Sequence, residues 1–580
     1  FNAAGIDQSG NRNAAAALQY SDGNTATADQ TGNWNTALAL QGFGNGDVPG
    51  GYNTSEITQT GNFNQAATFQ GNTDGLLLPT SSFGFLVDQL ADMIGNLNDQ
   101  LPVVPEVGET GLSANNTASI TQTGDFNLGA TYQGAGADGG SGGAIGASAT
   151  LVQNGDYNVG AIYQGLGVGE NTIAGNSGSE ATLIQNEGTV LSNGFLYQGA
   201  AFDDGTGLGA VAVSINDDAT FTTGTLSLGL LRQGYAEGGS AAALSTGNLA
   251  TLDQGGATLS AGFIGQGDAE GPLAAANSSS NIAELTQVGT LNAASIYQGV
   301  AVGVFALVNS VNNDADISQN GTLNVATIFQ GLATSGELNS TTNNTADITQ
   351  TGDGNTASID QDNSEGNTAT ITQTGWFNEA EINQDSDENT ATITQVGKNH
   401  VATIDQSNGV GNTASVTQGN GPLDNANFAD VDQLGNFNDV TITQLGSLNI
   451  ADIWQQGDDN TYLLAQGGMR NYAGNAQYGM GNEIAINQSG NRNATVNQQI
   501  GDDNEYDIEQ SGNRNVIRGA IAPDLGLDPT TQLGNLNSST VTQSGNNNIS
   551  YQNQYGNENT ILVNQTGNQN LSSIFQTTLP

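Results

Sequence analysis

From Asn378 to Gln384 the chain reads Asn-Glu-Ala-Glu-Ile-Asn-Gln, so Ala380 and Ile382 alternate with Glu379, Glu381 and Asn383. A period of two marks a strand whose successive side chains point to opposite faces. Asn378, Ala380, Ile382 and Gln384 share the uncharged face, which is predicted to point inward. The pattern recurs at a fixed step. Gln433, Gln444, Gln455, Gln466, Gln477, Gln488, Gln499 and Gln510 are each eleven residues apart, and after Ile521 the register resumes at Gln532, Gln543, Gln554, Gln565 and Gln576. Gly stands two residues after most of these Gln and Asn five after, as at Gly446, Asn449, Gly457 and Asn460. The unit is Q-x-G-x-x-N, five residues, and the next Q.

At the junction Gly is expected to take positive φ without a Cβ penalty, and Asn to tolerate the tight arc. Strand, turn, strand, turn makes a coil of 22 residues. One coil cannot bury its thin apolar face, so coils must stack, each strand pairing in parallel and in register with its counterpart one coil away. The predicted fold class is therefore all-β, a parallel β-solenoid with two strands per 22-residue coil and about twenty coils. The inward amides then form structural ladders: Gln122, Asn127 and Gln133; Gln319, Asn324 and Gln330; Gln373, Asn378 and Gln384; Gln466, Asn471 and Gln477; Gln488, Asn493 and Gln499. The matching turns are at Gly124, Gly321, Gly375, Gly468 and Gly490. Each amide is expected to donate to the amide oxygen one coil on, because a buried polar group left unpaired costs about 1–3 kcal/mol. All nine Pro fall in insertions, turns or the terminus, outside the repeat strands.

Residues 362–580 keep the 22-residue coil, whereas residues 1–361 carry insertions of about ten residues per coil, each following a Gln-Gly such as Gln133-Gly134 or Gln298-Gly299. An outward aromatic precedes many of these Gln, at Phe69, Tyr132, Tyr163, Tyr197, Tyr297 and Phe329. The insertions are predicted to fold back over this stripe as a second layer, hiding an apolar patch. Coils around Gln185, Thr222 and Gln254 are degenerate. The longest insertion, 71–115, places Phe85, Leu86, Leu90, Met93, Ile94, Leu97 and Leu101 at helical spacing, which predicts one short helix that packs on its own solenoid or docks to a neighbouring subunit.

Composition narrows the function. With no Cys, one His (His400), one Lys (Lys398) and six Arg against 56 acidic residues, the chain lacks the means for thiol catalysis or a histidine metal cluster, and nucleic acid is a poor partner. No cofactor is implied. No run is long and apolar enough to span a membrane, so no transmembrane segment is expected, and no signal peptide opens the chain; a mature, already processed product is expected. Paired acids at Asp458/Asp459 and Asp502/Asp503 lack any Lys or Arg constellation beside them and read as solvated turn residues. They also lack the glycine-aspartate nonapeptide of calcium β-rolls. Trp34, Trp376 and Trp454 read as isolated surface aromatics, with stacking on sugars as the sharper possibility.

Gln122-Thr123-Gly124-Asp125-Phe126-Asn127, continuing to Gln133 and repeated over nearly the whole chain, resembles the curlin repeat of curli subunits, Ser-x5-Gln-x-Gly-x2-Asn-x-Ala-x3-Gln. Gln373, Gly375, Asn378, Ala380 and Gln384 match it position by position, as do Gln319, Gly321, Asn324, Ala326 and Gln330; the Ser position holds Asn367 and Asn313. The resemblance implies a non-enzymatic β-solenoid exported through an outer-membrane channel. It also implies nucleation at the cell surface, by a separate nucleator subunit where one is needed, into adhesive extracellular fibres of a biofilm matrix. The first coil begins at Ile6-Asp7-Gln8 and the last motif is Gln576, with no polar cap at either edge, which predicts self-association as an open head-to-tail homopolymer. The alternatives are an ice-binding or surface-adhesin β-solenoid. For ice binding the residues are Thr370/Thr372, Thr392/Thr394, Ser415/Thr417 and Thr441/Thr443 on one outward face, a column interrupted elsewhere by Glu56, Glu284, Asp316 and Asp347.

Overall fold

Small apolar residues alternating with polar ones produce strands throughout, and the core they build is thin. The computed structural model describes residues 1–19, 22–43, 51–71, 110–134, 136–137, 141–168, 172–190, 192–202, 210–237, 241–270, 274–302, 305–334, 336–519 and 530–577. Among these residues the chain is all-β, and no helix is long and apolar enough to cross a membrane. The helix predicted between Phe85 and Leu101 lies outside the described residues. The chain divides into two units: residues 1–288, 296–312 and 331–339, and residues 289–295, 313–330 and 340–580.

In the second unit the winding is simplest. Strand Thr368–Trp376 pairs in parallel with Thr345–Asp353 on one side and Thr390–Lys398 on the other, so that Gln350, Gln373 and Gln395 are in register. The next strand, Glu379–Asn383, pairs instead with Thr356–Asp360 and Val401–Asn408, aligning Ile359, Ile382 and Ile404. Alternate strands thus belong to two opposed parallel sheets, and each residue meets its counterpart one coil away. Ala369, Ile371 and Gln373 from one sheet, and Ala380, Ile382 and Gln384 from the other, are buried between them.

The first unit has a third wall. Strands Thr110–Ala114, Ser141–Ile145, Ile173–Ser177, Ala210–Ile215, Ala241–Thr246, Ala275–Ser279 and Leu307–Val311 pair in parallel, each with the next. The insertions therefore form an in-register sheet of their own rather than only a layer folded over the aromatic stripe. The device is visible in Asn193–Phe202, which runs on past Gln198 through Gly199 at φ 60°. Beyond that turn Ala201 joins an alanine-rich cluster with Ala174, Ala212 and Ala236, whereas Ala200 joins the aromatics. Phe69, Tyr132, Tyr163 and Tyr197 stack in sequence at 4.7, 5.1 and 4.8 Å between ring centroids, and the first three are buried.

The turn differs from the sequence expectation in one respect. Gly124, Gly321, Gly375, Gly468 and Gly490 have φ of 113°, 135°, 123°, 99° and 101°. The second special residue is not the Asn but the one before it, as at Phe377 (56°), Leu448 (60°) and Arg470 (59°). These residues take the left-handed conformation so that the following Asn can enter the core in an ordinary one.

Candidate assembly site: the amide ladders

In the regular coils an inward Gln is saturated by its neighbours, as Gln466 shows. Gln466 donates from Nε2 to Gln488 Oε1 at 2.8 Å and to the Ile450 carbonyl at 3.1 Å, while its Oε1 accepts from Gln444 Nε2 at 2.9 Å. The carbonyl bond ties the two opposed sheets together across the coil. In the second unit one such column runs Gln319, Gln350, Gln373, Gln395, Gln418, Gln444, Gln466, Gln488, Gln510, Gln543 and Gln565. Another runs from Gln330 and Gln361 through Gln384, Gln477 and Gln499 to Gln576. In the first unit Gln122 donates to Gln153 at 2.7 Å and Gln133 to Gln164 at 2.8 Å. Every link has the same sense: Nε2 donates to the Oε1 of the following coil.

The inward Asn add backbone bonds to an amide-to-amide ladder in which Asn378 Nδ2 donates to Asn355 Oδ1 at 3.2 Å and Asn460 Nδ2 to Asn438 Oδ1 at 3.0 Å, toward the preceding coil. Asn471 Oδ1 accepts the backbone N–H of Asn493 at 3.0 Å, and Asn471 Nδ2 donates to the Gly490 carbonyl at 3.1 Å. Asn127, Asn324, Asn378 and Asn493 repeat this, donating to Gly155, Gly352, Gly397 and Gly512. Asn therefore pairs the backbone groups that the turn frees from the sheet, which is the accounting a buried arc demands. An outer column does the same in the turns: Asp458 Oδ1 accepts Asn436 N–H at 2.9 Å, and Asp502 Oδ1 accepts Met480 N–H at 3.0 Å. These acids are bonded parts of the turn, not merely solvated.

Substitutions within the columns follow the same rules. His400 occupies an Asn position; its N–H donates to Asn378 Oδ1, and its Nδ1 accepts from Asn427 N–H at 3.2 Å, which leaves the proton on Nε2 for the Val396 carbonyl. Burial lowers its pKa. In the degenerate coils the position opposite Gln185 is Thr223 rather than Thr222. Thr223 is too short to continue the column, and both its Oγ1 and Gln254 Oε1 are buried without a hydrogen-bond partner. In the aromatic column Arg232 follows Tyr197, lies over the Tyr235 ring at 4.0 Å and pairs with Asp268 and Glu270. That buried ion pair carries no repeat signature and was not legible in the sequence.

The outer face of the second sheet gathers carboxylates. Asp360, Asn383, Asp405 and Asp432 are in register, and Asp430 aligns with Asp452. Burial, and then the Asp362 and Asp385 carboxylates, push Asp360 up to about 8. Burial and neighbouring carboxylates likewise raise Asp385 and Asp432 to about 6. The Thr array extends over four coils, bounded by Asp347 at one end and by Leu463 and Ala465 at the other. The tryptophans are not isolated: Trp34 stacks on Phe63 under Arg12, Lys398 lies over Trp376 at 4.4 Å, and Trp454 Nε1 is buried.

Replacing Gln466 with Leu strands Gln444 Nε2, Gln488 Oε1 and the Ile450 carbonyl, so a loss of about 1–3 kcal/mol is expected. Exposed Ala465→Ser should be nearly neutral. Denaturant unfolding of both variants checks this, and equal midpoints would refute the inward and outward assignment.

This fold and these columns define a class: a parallel β-solenoid whose core is held by stacked Gln and Asn amides. The family model of the curlin associated repeat matches residues 2–32, 341–375, 386–419, 425–457 and 435–468, so these stretches of the chain are similar to the curlin repeat. That family is structural and non-enzymatic. No curated protein matches the chain.

Proposed function

We propose that the chain is a structural subunit of an extracellular, curli-like amyloid fibre that serves in a biofilm matrix and in adhesion, and that subunits join head-to-tail by edge-strand stacking. The observation that carries this reading is the single polarity of the Gln columns. At one edge Gln8 and Gln19 donate onward to Gln30 and Gln41, and their own Oε1 atoms have no donor among the described residues. At the other, Gln565 and Gln576 spend one Nε2 hydrogen on the carbonyls of Ile549 and Thr560, and the second has no acceptor among the described residues. One edge lacks donors and the other lacks acceptors, so a second copy would complete both columns along with the strand hydrogen bonds. Residues 1–361, with their insertions, form the decorated part of this subunit and residues 362–580 its regular part. Export through an outer-membrane channel and seeding by a nucleator belong to the same proposal and rest on the family.

Strand geometry supplies the test. Ala14 N–H donates to Asn35 and Ser538 N–H to Asn559 within the chain. In strands of this alternation Ala15 and Ala17 at one edge, and Leu562 at the other, turn their N–H groups to the open side. Proline there removes open-side donors while sparing the internal ladder. The purified chain is expected to form unbranched fibres with a reflection near 4.8 Å. Ala15→Pro with Ala17→Pro, or Leu562→Pro, should stop growth and leave a folded monomer, whereas Ala391→Pro, paired on both sides, should unfold it. Electron microscopy and circular dichroism read the result. A parent chain that stays monomeric when concentrated, or edge variants that polymerise normally, would reject head-to-tail joining.

A further inference from the structure

Arg470, Arg492 and Arg514 occupy three successive coils at the left-handed turn position, with φ of 59°, 59° and 58°. Arg492 N–H donates to the Met469 carbonyl and Arg514 N–H to the Asn491 carbonyl, both at 2.9 Å, so the three backbones are one strand spacing apart, about 4.8 Å. All three side chains are exposed. Three of the chain's six arginines are therefore stacked in one column, in a chain of formal net charge -49.

With Asn491, Asn513 and Asn546 these arginines line a groove of about 560 Å³ that no carboxylate enters. Among the described residues, the ion pairs of this chain are made by the N-terminal amine and by Arg232; none of the three guanidinium groups has an acidic partner. Like charges stacked at strand spacing repel one another, and no acidic side chain among the described residues pairs with them. The asparagines add donors. Asn491 Nδ2 donates to Asn513 Oδ1 at 3.1 Å and Asn513 Nδ2 to Asn546 Oδ1 at 3.0 Å. Those two oxygens also take the backbone N–H of Asn491 and Asn513. Their acceptor capacity is occupied, whereas each Nδ2 keeps a second hydrogen. The groove thus presents forked cations and amide N–H groups, the complement of a tetrahedral oxyanion.

We propose that this groove binds sulfate or phosphate groups bridging successive guanidinium groups, delivered either as the free ion or on a sulfated or phosphorylated glycan. Binding needs only three coils of one chain and does not depend on fibre formation.

The test compares the parent with the triple variant Arg470→Gln, Arg492→Gln, Arg514→Gln. Gln569 adopts φ 61° at the equivalent turn position, so glutamine suits this backbone. Probes are inorganic sulfate, dextran sulfate and neutral dextran at about 150 mM salt, where screening over about 8 Å mutes the distant acids. Thermal midpoints verify that the variants fold. Dextran sulfate should bind the parent at least about tenfold more tightly than the triple variant, a difference of about 1.4 kcal/mol. Arg12→Gln, which alters a residue stacked over Trp34, should bind like the parent. Full competition by millimolar inorganic sulfate assigns the site to the free ion; binding of the polymer alone assigns it to the glycan. Equal binding by parent and triple variant, equal retention on neutral dextran, or no binding of either sulfate probe would overturn the proposal.

Discussion

Gly375→Ala should cost more than about 4 kcal/mol and prevent the regular coils from folding as a cooperative unit. A Cβ there would lie 2.0 Å from the Gly397 carbonyl oxygen, and φ is +123°, a conformation that residues with a side chain scarcely adopt. Neither problem can be relieved locally, because the clashing atom is backbone one coil away and Gly397 faces the coil after it in turn. Two controls separate the causes. Gly336→Ala, at φ +84° with nothing within 4 Å of the new Cβ, should cost only the strain of about 1–2 kcal/mol; Gly421→Ala, with open space and no positive φ, should cost almost nothing. Thermal unfolding by circular dichroism ranks the three. A Gly375→Ala protein that melts with the parent would mean that coils do not approach so closely at the turn.

Stability should rise as pH falls from 8.5 to 6.5. Asp360, raised to about 8, holds its proton in the folded chain at pH values where the unfolded chain, with a carboxyl near 3.9, has lost it. The folded state therefore binds more protons than the unfolded one across this window, and linkage makes stability decrease with increasing pH. Its contribution approaches one proton, a slope of about 1.4 kcal/mol per pH unit near pH 6 to 7. Asp385 and Asp432, raised to about 6, add the same sign between about pH 4 and 6. His400 opposes them below about 6.5, because its pKa is lowered and protonation favours the unfolded chain. Urea midpoints at constant ionic strength read the trend. Asp360→Asn should flatten it above pH 6.5, and Asn383 already occupies the adjacent place in the same column. A flat profile in the parent would show that Asp360 is ionised in the folded state.

The strands and their inward faces were legible because two signals coincide in every regular coil: period-two alternation, and a Gln that must meet another Gln. Where a strand lacks both, the sequence is quiet. Ser141-Gly-Gly-Ala-Ile145 and Ala275-Ala-Asn-Ser-Ser279 form the third sheet with small residues and no ladder Gln, so their register comes from the strands on either side. The left-handed turn residue was hidden for the opposite reason: Phe377, Leu448, Asp459 and Arg470 share a conformation but no chemistry. The arginine groove was present in the numbering, since 470, 492 and 514 differ by one coil each. Counting cations over the whole chain obscured what counting them by column reveals.

That turn position has a consequence for how such a surface changes over generations. Its conformation penalises most side chains to a similar degree, and those side chains stand away from the core, so the fold exerts little choice over which residue is used. Arg12, Trp34, Phe63, Leu323, Phe377, Asp459 and Gln569 all occupy it. A single mutation there rewrites one mark on the exterior and leaves the coil beneath it unaltered. The solenoid thus separates what it is from what it displays, and a lineage can redraw a stripe of charge or aromatic surface one coil at a time without renegotiating its architecture.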